Sequence, residues 1–386
     1  MAIPFIDLAA QKARIGGAIE TAVKRVLDHG AYIMGPEVRT FEANMAAFAG
    51  AKHCLSCANG TDAIELILRG LGVTQGDAVF VPAFTFVATA EVVPMTNAEP
   101  VFVDILPDTY NIDPIKLDAA IEAVKAEGRL KPAAIIAVDL FGQAADYPAL
   151  AAIAKKHGIY LISDSAQGFG CTIDGVQPLE YCVATATSFY PAKPLGCYGD
   201  GGAVVTNDGA LMERLISYRV HGGATPTDAA TMKFEHETKY LNVRIGMNSR
   251  LDTIQAAVLI EKLNIFAEEI ALRQTVADRY PEKLGGKVLS VPHLKPGYVS
   301  TWAQYTIEHE NRDGLQAHLR QAGVPSAVYY PIPLHQQPGY EMYKSGGLDL
   351  AVSEAKAKTV ISLPFSPYLT ADVQNEIVAA VLSFNG

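Results

Sequence analysis

Between about residue 50 and residue 210, short β-rich apolar runs alternate with amphipathic or alanine-rich stretches. The apolar runs predict strands at 78–81, 100–103, 134–138, 160–163, 184–189 and 203–206. Apolar residues at three- and four-residue spacing predict helices at 61–70, 114–127, 147–157 and 209–218. Strand and helix in alternation wind onto a mostly parallel sheet, so this region reads as a large α/β domain. A polar, weakly patterned stretch at 221–237 follows, and then a long helix over 251–273 with Leu251, Ile254, Val258 and Ile265 on one face. Beyond it, strands at 300–308 and 327–330 flank a helix at 313–322, and a last helix covers 371–384, the pattern of a smaller α+β domain. The expected division is 1–250 for the large domain and 251–386 for the small one, with the N-terminal segment free to pack on the latter. There is no internal repeat and no low-complexity segment.

Length and composition sharpen this picture. At 386 residues the chain is long enough for two or three structural units, and 49% hydrophobic with 19% charged residues suits a large core. Lysine and arginine total 31 against 41 aspartates and glutamates, a net charge of −10. That sign disfavours nucleic acid and anionic membrane surfaces as partners. It leaves room for a small anionic ligand held by a local cluster of donors. The five cysteines contain one CxxC, Cys54 and Cys57, with no second pair or histidine pair, so free thiols are expected and a metal site is not. With no apolar run near 18 residues and no signal-like start, a cytoplasmic protein is expected.

Three elements carry candidate chemistry. The strand ending at Ser163 runs into Asp164-Ser165-Ala166-Gln167, placing a carboxylate at the carboxyl end of a buried strand, where ligands of open α/β sheets gather. A helix cap is the bland role for such an aspartate. A second strand leads into Ser188-Phe189-Tyr190-Pro191-Ala192-Lys193-Pro194, where prolines fix φ on both sides of Lys193 and pre-aim its amine; a merely solvated lysine is the alternative. The third is Ala58-Asn59-Gly60-Thr61-Asp62, small residues leading into a helix whose first N–H groups suit an anion, or a plain loop capped by Thr61 or Asp62. A phosphate cradle, an acid for a ring nitrogen and an imine-forming lysine together are what pyridoxal 5'-phosphate requires. Phe86 follows another predicted strand and could stack on the ring or belong to the core.

With these residues in hand, the sequence resembles the DegT-type nucleotide-sugar aminotransferases, of the aspartate aminotransferase fold (fold type I of the pyridoxal phosphate enzymes). The carriers are Gly60-Thr61-Asp62-Ala63, residues 82–90, Asp164 to Gln167, residues 188–202, Met247-Asn248-Ser249-Arg250-Leu251-Asp252 with Gln255-Ala256-Ala257, and Tyr330-Pro331-Ile332-Pro333-Leu334-His335. The resemblance implies that Lys193 binds the cofactor aldehyde, Asp164 meets the pyridine nitrogen and Gln167 approaches the ring hydroxyl. It implies that Ser188, Gly60 and Thr61 hold the phosphate, Phe86 stacks on the ring, and Asn248 reaches the phosphate of a neighbouring subunit in a homodimer with shared active sites. Because Lys193 stands where related sugar dehydratases carry histidine, amine transfer from L-glutamate to a keto-sugar is the implied reaction. The long matches resemble most the enzymes that aminate UDP-2-acetamido-2-deoxy-3-oxo-glucuronate for O-antigen sugars. A neutral 3-oxo UDP-N-acetylglucosamine or a 4-keto-6-deoxy sugar is the runner-up substrate, and a pyridoxal phosphate-binding regulatory sensor is the alternative from another class. Substrate contacts fall to Arg250, Tyr330, Tyr329, Arg244 and His335, although Arg250 could equally make an ordinary ion pair with Asp252. Two positions depart from the family pattern: Tyr329 stands where histidine is expected, and Ser165 where alanine is usual.

Overall fold

A computed structural model describes residues 3–232, 240–344 and 349–386. Its strands are β1 (His53–Cys57), β2 (Asp77–Pro82), β3 (Glu99–Val103), β4 (Lys131–Val138), β5 (Tyr160–Asp164), β6 (Thr172–Ile173), β7 (Ala184–Ser188), β8 (Gly202–Thr206), β9 (Tyr298–Val299), β10 (Tyr305–Glu308) and β11 (Val360–Leu363). Seven of them form one sheet in the order β1-β8-β7-β5-β4-β2-β3. Only β8 runs against its neighbours there; β7, β5, β4, β2 and β3 pair in parallel. All six strands expected between 78 and 206 are present, within a residue or a few at their ends.

Strand geometry explains how both faces of the sheet are covered. Side chains alternate along a strand, and along β2 and β4 residues Val79, Val81, Ala134 and Ile136 enter one apolar cluster while Ala78, Phe80, Ile135 and Ala137 enter the other. The first cluster is closed by the helices Gly60–Leu71 and Gly209–Arg219, the second by Pro114–Glu127 and Tyr147–His157. The last two helices have sharp ends for local reasons. Asp113 and Asp146 accept first-turn N–H groups, a proline sits in each first turn, and Gly128 and Gly158 take the left-handed conformation beyond the last turn.

Five α-helices and two strands before residue 250 were not foreseen among the described residues: Leu8–Ile15, Ala18–His29, Pro36–Phe48, Ala88–Met95 and Pro226–Met232, with β1 and β6. The long helix runs Thr253–Arg279 and crosses between cores. Ala256, Leu259 and Phe266 pack with the large domain, Val276 and Ala277 with the small one, where Ile3 also lies. In the C-terminal part of the chain β10 and β11 pair antiparallel, and Arg312–Gln321 and Ala371–Leu382 share their apolar cluster. Two expectations there need correction. The strand expected at 300–308 is confined to β10, with β9 joining β6 separately. The strand expected at 327–330 is a single bridge between Ala327 and Ser362; beyond it Val328, Tyr329 and Tyr330 pack against the apolar cluster that holds Phe84 and Tyr110. Of the stretch 221–237, residues Pro226–Met232 are helical and the part from 233 onward lies outside the described residues. No described helix is long and apolar enough to cross a membrane.

Candidate active site

The site lies beyond the carboxyl ends of the parallel strands. Asp164, the last residue of β5, is buried, and its Oδ2 accepts a hydrogen bond from the Thr89 hydroxyl at 2.8 Å while Oδ1 accepts from the Ala166 N–H at 3.2 Å. Burial pushes its pKa upward, opposed by the Thr89 hydroxyl, the Ala166 N–H and the positive charge of Lys193. A buried carboxylate with only two donors has capacity left for a cationic N–H. Its role as a cap is not realised, since neither donor opens a helix here.

Lys193 follows β7 in a turn closed by its own N–H donating to the Tyr190 carbonyl at 2.8 Å. The chain beyond it is held to the long helix by Gln255, which accepts from the Tyr198 N–H at 2.8 Å and donates to the Tyr198 carbonyl at 3.2 Å. Burial lowers the pKa of the Lys193 amine, and the Asp164 charge offsets part of that shift. The direction of that shift favours the neutral amine, the form that attacks an aldehyde.

Gln167 is fixed at both ends of its amide. Its Oε1 accepts from the Phe141 N–H at 2.9 Å and its Nε2 donates to the Tyr330 hydroxyl at 3.2 Å. Tyr330 is brought there because the Leu334 N–H donates to the Ala83 carbonyl at 2.8 Å, tying the 330–335 segment to the end of β2. The Tyr330 ring lies 6.0 Å from Phe84 and 6.3 Å from the half-exposed Phe86. Tyr329 packs beside it, 5.8 Å from Tyr330 and 6.4 Å from Phe5.

The candidate phosphate cradle is equally specific. Asn59 is the helix cap, accepting from the Asp62 N–H at 2.8 Å, a role that sequence reasoning had offered to Thr61 or Asp62. The N–H groups of Gly60 and Thr61 make no hydrogen bond among the described residues, and Gly60 lies against Ser188 at the end of β7. A side chain at position 60 would put its Cβ 2.7 Å from Ser188 Cβ and 3.2 Å from Ser188 Oγ. Glycine there lets the Ser188 hydroxyl come close to the start of a helix whose first two N–H groups are free, a donor set suited to an anion. These residues fit pyridoxal phosphate at all three of its polar ends.

The remaining candidates are placed differently. Asn248 is exposed, and Ser249 beside it accepts the Ala58 N–H at 3.2 Å, so the 248–250 segment runs alongside the cradle. Arg250 is half-buried and makes no ion pair among the described residues, to Asp252 or to any other acid. Arg244 is committed elsewhere: its guanidinium grips Asp228 at 2.6 and 2.8 Å and Ser217 at 3.0 Å, holding the Asp228 carboxyl well below the usual range. His335 pairs with Glu354 at 3.1 Å and lies against Phe102. Neither Arg244 nor His335 hydrogen-bonds to the Asp164, Gln167 and Tyr330 group. Sequence reasoning passed over Thr89, although Thr85 and Thr89 stand four residues apart and their hydroxyls lie 3.2 Å from each other.

Fold and site together define a pyridoxal phosphate-dependent aminotransferase of fold type I. The sequence profile of the DegT/DnrJ/EryC1/StrS aminotransferase family matches residues 13–382, and the chain belongs to that family. It is 47% identical over 382 residues, covering 99% of both chains, to the UDP-2-acetamido-2-deoxy-3-oxo-D-glucuronate aminotransferase of Pseudomonas aeruginosa. Among solved structures, a DegT DnrJ EryC1 StrS aminotransferase from Brucella abortus superposes with a TM-score of 0.93 at 50% identity, with full coverage of both chains. NtdA from Bacillus subtilis, solved with bound cofactor PMP, superposes with a TM-score of 0.83 at 27% identity over 98% of this chain and 84% of its own.

Proposed function

We propose that the protein transfers an amino group from L-glutamate to the C3 keto group of UDP-2-acetamido-2-deoxy-3-oxo-D-glucuronate, as a cytoplasmic homodimer serving O-antigen or other surface polysaccharide synthesis. The observation that carries this reading is the end-to-end similarity to the P. aeruginosa enzyme, combined with Lys193, Asp164 and Gln167 standing in one site. Pyridoxal phosphate supplies the aldehyde that carries the amino group and a ring that withdraws electrons.

The side chains supply the rest. Lys193 Nζ would hold the cofactor aldehyde and, as a free amine, could move a proton on and off the reacting carbon. Asp164 keeps the ring nitrogen protonated, and Gln167 donates toward the ring hydroxyl. Ser188 with the Gly60 and Thr61 N–H groups holds the phosphate, and Phe86 covers the ring. Arg250, without an acid of its own among the described residues, is the cation offered to the uronate carboxylate. Support for the dimer comes from the exposed Asn248 and from exposed Tyr32, Ile33, Phe86 and Tyr190, apolar surface of the kind a second subunit covers.

The test is the visible spectrum of the purified holoenzyme. L-glutamate should convert the lysine-bound cofactor to its amine form, and the keto UDP-uronate should reverse the change with formation of a 3-amino sugar. A spectrum indifferent to every amino donor would leave a cofactor-binding sensor as the reading. A normal lysine-bound cofactor in Lys193→Ala would assign the anchor to another lysine.

A further inference from the structure

A second carboxylate lies behind Asp164, and none of the roles above uses it. Asp139 follows β4 directly, next to the register pair Val138 and Asp164, and its N–H donates to the Asp164 carbonyl at 3.0 Å. Its side chain is fully buried. Oδ1 accepts from the Tyr147 hydroxyl at 2.7 Å and from the Ala145 N–H at 3.2 Å. Oδ2 accepts from the Ser163 hydroxyl at 3.3 Å and, in a short bond, from the Ser165 hydroxyl. Ser163 and Ser165 are themselves 2.8 Å apart, and Tyr147 lies 2.8 Å from Ser163. Each of these neighbours can give its hydrogen to the carboxylate, which is the surrounding an ionised Asp139 needs. Room for it exists because Gly168 has no side chain; a Cβ there would collide with that of Asp139. The turn after Asp139 also carries the Phe141 N–H that fixes Gln167.

We propose that Asp139 is a positioning residue for the cofactor. Its buried negative charge, held by Tyr147, Ser163, Ser165 and the Ala145 N–H, stands behind Asp164 and favours the positively charged, protonated ring. Ser165, the departure from the usual alanine, is the donor that secures it. The inference rests on Asp164 facing the ring nitrogen.

The groups facing Asp139 are Asp164, Ser163 and Ser165 from β5 and its extension, Tyr147 from the helix Tyr147–His157, and the thiols of Cys171 and Cys182. Asp164 is the other carboxyl among them. Burial pushes Asp139 up, against the hydrogen bonds from Ser165, Tyr147 and Ala145, to about 6. Tyr147, Ser163, Ser165 and the Ala145 N–H all donate to its two oxygens, a setting that favours the ionised form. A fixed anion raises the pH at which a nearby cation loses its proton, so removing it moves that transition down.

The experiment is a pH titration of the visible absorption of the holoenzyme, made for the natural protein and for Asp139→Asn, Ser165→Ala and Asp164→Asn. Asp139→Asn should lower the midpoint of the lysine-bound cofactor by about 0.5–1 pH unit, the scale of one charge acting across a few residues of protein. Ser165→Ala should move it the same way by less, because Asp139 then binds its proton at higher pH. Infrared titration of the apoprotein should show that rise at Asp139 without any cofactor present. If Asp164→Asn shifts the midpoint and Asp139→Asn does not, the proposal is wrong while the Asp164 reading stands. If Asp164→Asn leaves it unmoved, the Asp164 reading falls and takes the proposal with it. Should Asp139→Asn fail to fold, an unshifted midpoint in Ser165→Ala is the overturning result.

Discussion

Gly60→Ala tests the phosphate cradle with a single methyl group. The added Cβ would sit 2.7 Å from Ser188 Cβ and 3.3 Å from Ser188 Cα, whereas carbon atoms rest about 3.5–4.0 Å apart. The helix start and the end of β7 must therefore separate by roughly 1 Å, and both are firmly held: β7 lies inside the sheet and the helix is capped by Asn59. Overpacking of this kind costs about 1–3 kcal/mol of stability. The separation also pulls the Ser188 hydroxyl away from the Gly60 and Thr61 N–H groups, and each charge-assisted bond lost to a phosphate is worth about 1.5–3 kcal/mol. The expected outcome is a drop of roughly 10- to 100-fold in the affinity of the apoprotein for pyridoxamine 5'-phosphate, followed by fluorescence titration. Gly70→Ala is the matched control. It adds the same methyl to the same helix, but against the flexible ends of Leu211 and Leu215 at 2.7 and 2.9 Å. It should change stability and leave cofactor affinity alone. Binding by Gly60→Ala that equals the natural protein, or an equal loss for pyridoxamine lacking the phosphate, would refute the assignment of this loop to the phosphate.

Other perturbations reach other parts of the molecule. Thr89→Val removes the hydroxyl that donates to Asp164, so the Asp164 pKa should rise further and pyridoxal phosphate affinity fall roughly tenfold, read by the pH profile of cofactor binding; an unchanged profile would exclude Thr89 from the site. Asp104 accepts from the Ser353 hydroxyl and N–H at 2.6 and 2.8 Å, the Val352 N–H at 3.0 Å and Lys116 at 3.1 Å, capping a helix 248 residues away in sequence. Burial pushes its carboxyl up, but these donors outweigh burial and hold it below the ordinary value. Its contribution is thus present above the unfolded pKa of about 3.9 and lost as pH falls through the lower folded one. Asp104→Asn should cost about 1–3 kcal/mol at pH 7, and the gap in melting temperature from the natural protein should close below about pH 4; a gap constant with pH would contradict the linkage. Arg250→Ala should impair turnover of the UDP-uronate by roughly tenfold or more and spare a neutral 3-oxo UDP-sugar, whereas equal losses would remove Arg250 as the reader of the carboxylate.

What could be read without coordinates follows from how local each signal is. Asp164 and Lys193 stand out because a buried strand ends and a turn begins within a few residues of each, and that geometry is written in the run of apolar residues and prolines. Strand β1 escaped notice because His53-Cys54-Leu55-Ser56-Cys57 mixes polar and apolar residues without alternation, and only its pairing with β8 makes it a strand. The 327–330 segment erred the other way: its residues suit a strand, but Val328, Tyr329 and Tyr330 pack against the cluster around Phe84 and Tyr110 and the pairing stops at one bridge. Asp139 satisfies the same strand-end criterion that singled out Asp164 and was passed over, since its donors Tyr147, Ser163 and Ser165 converge only in the folded sheet. Arg244 shows the opposite limit. A cation beside a family motif invites a ligand, and its capture by Asp228 depends on a helix that polar patterning did not announce.

The long helix has a mechanical consequence. Its 27 residues, at 1.5 Å each, make a rod about 40 Å long that starts just after Arg250 and ends among the small-domain residues Val276 and Ala277. A tilt of about 5° at its start sweeps the far end through about 3.5 Å, enough to alter which side chains meet across a packed surface. One rigid element thus joins the residues just after Arg250 to the C-terminal core around Val276 and Ala277, so the spacing between those two places is set by the helix itself.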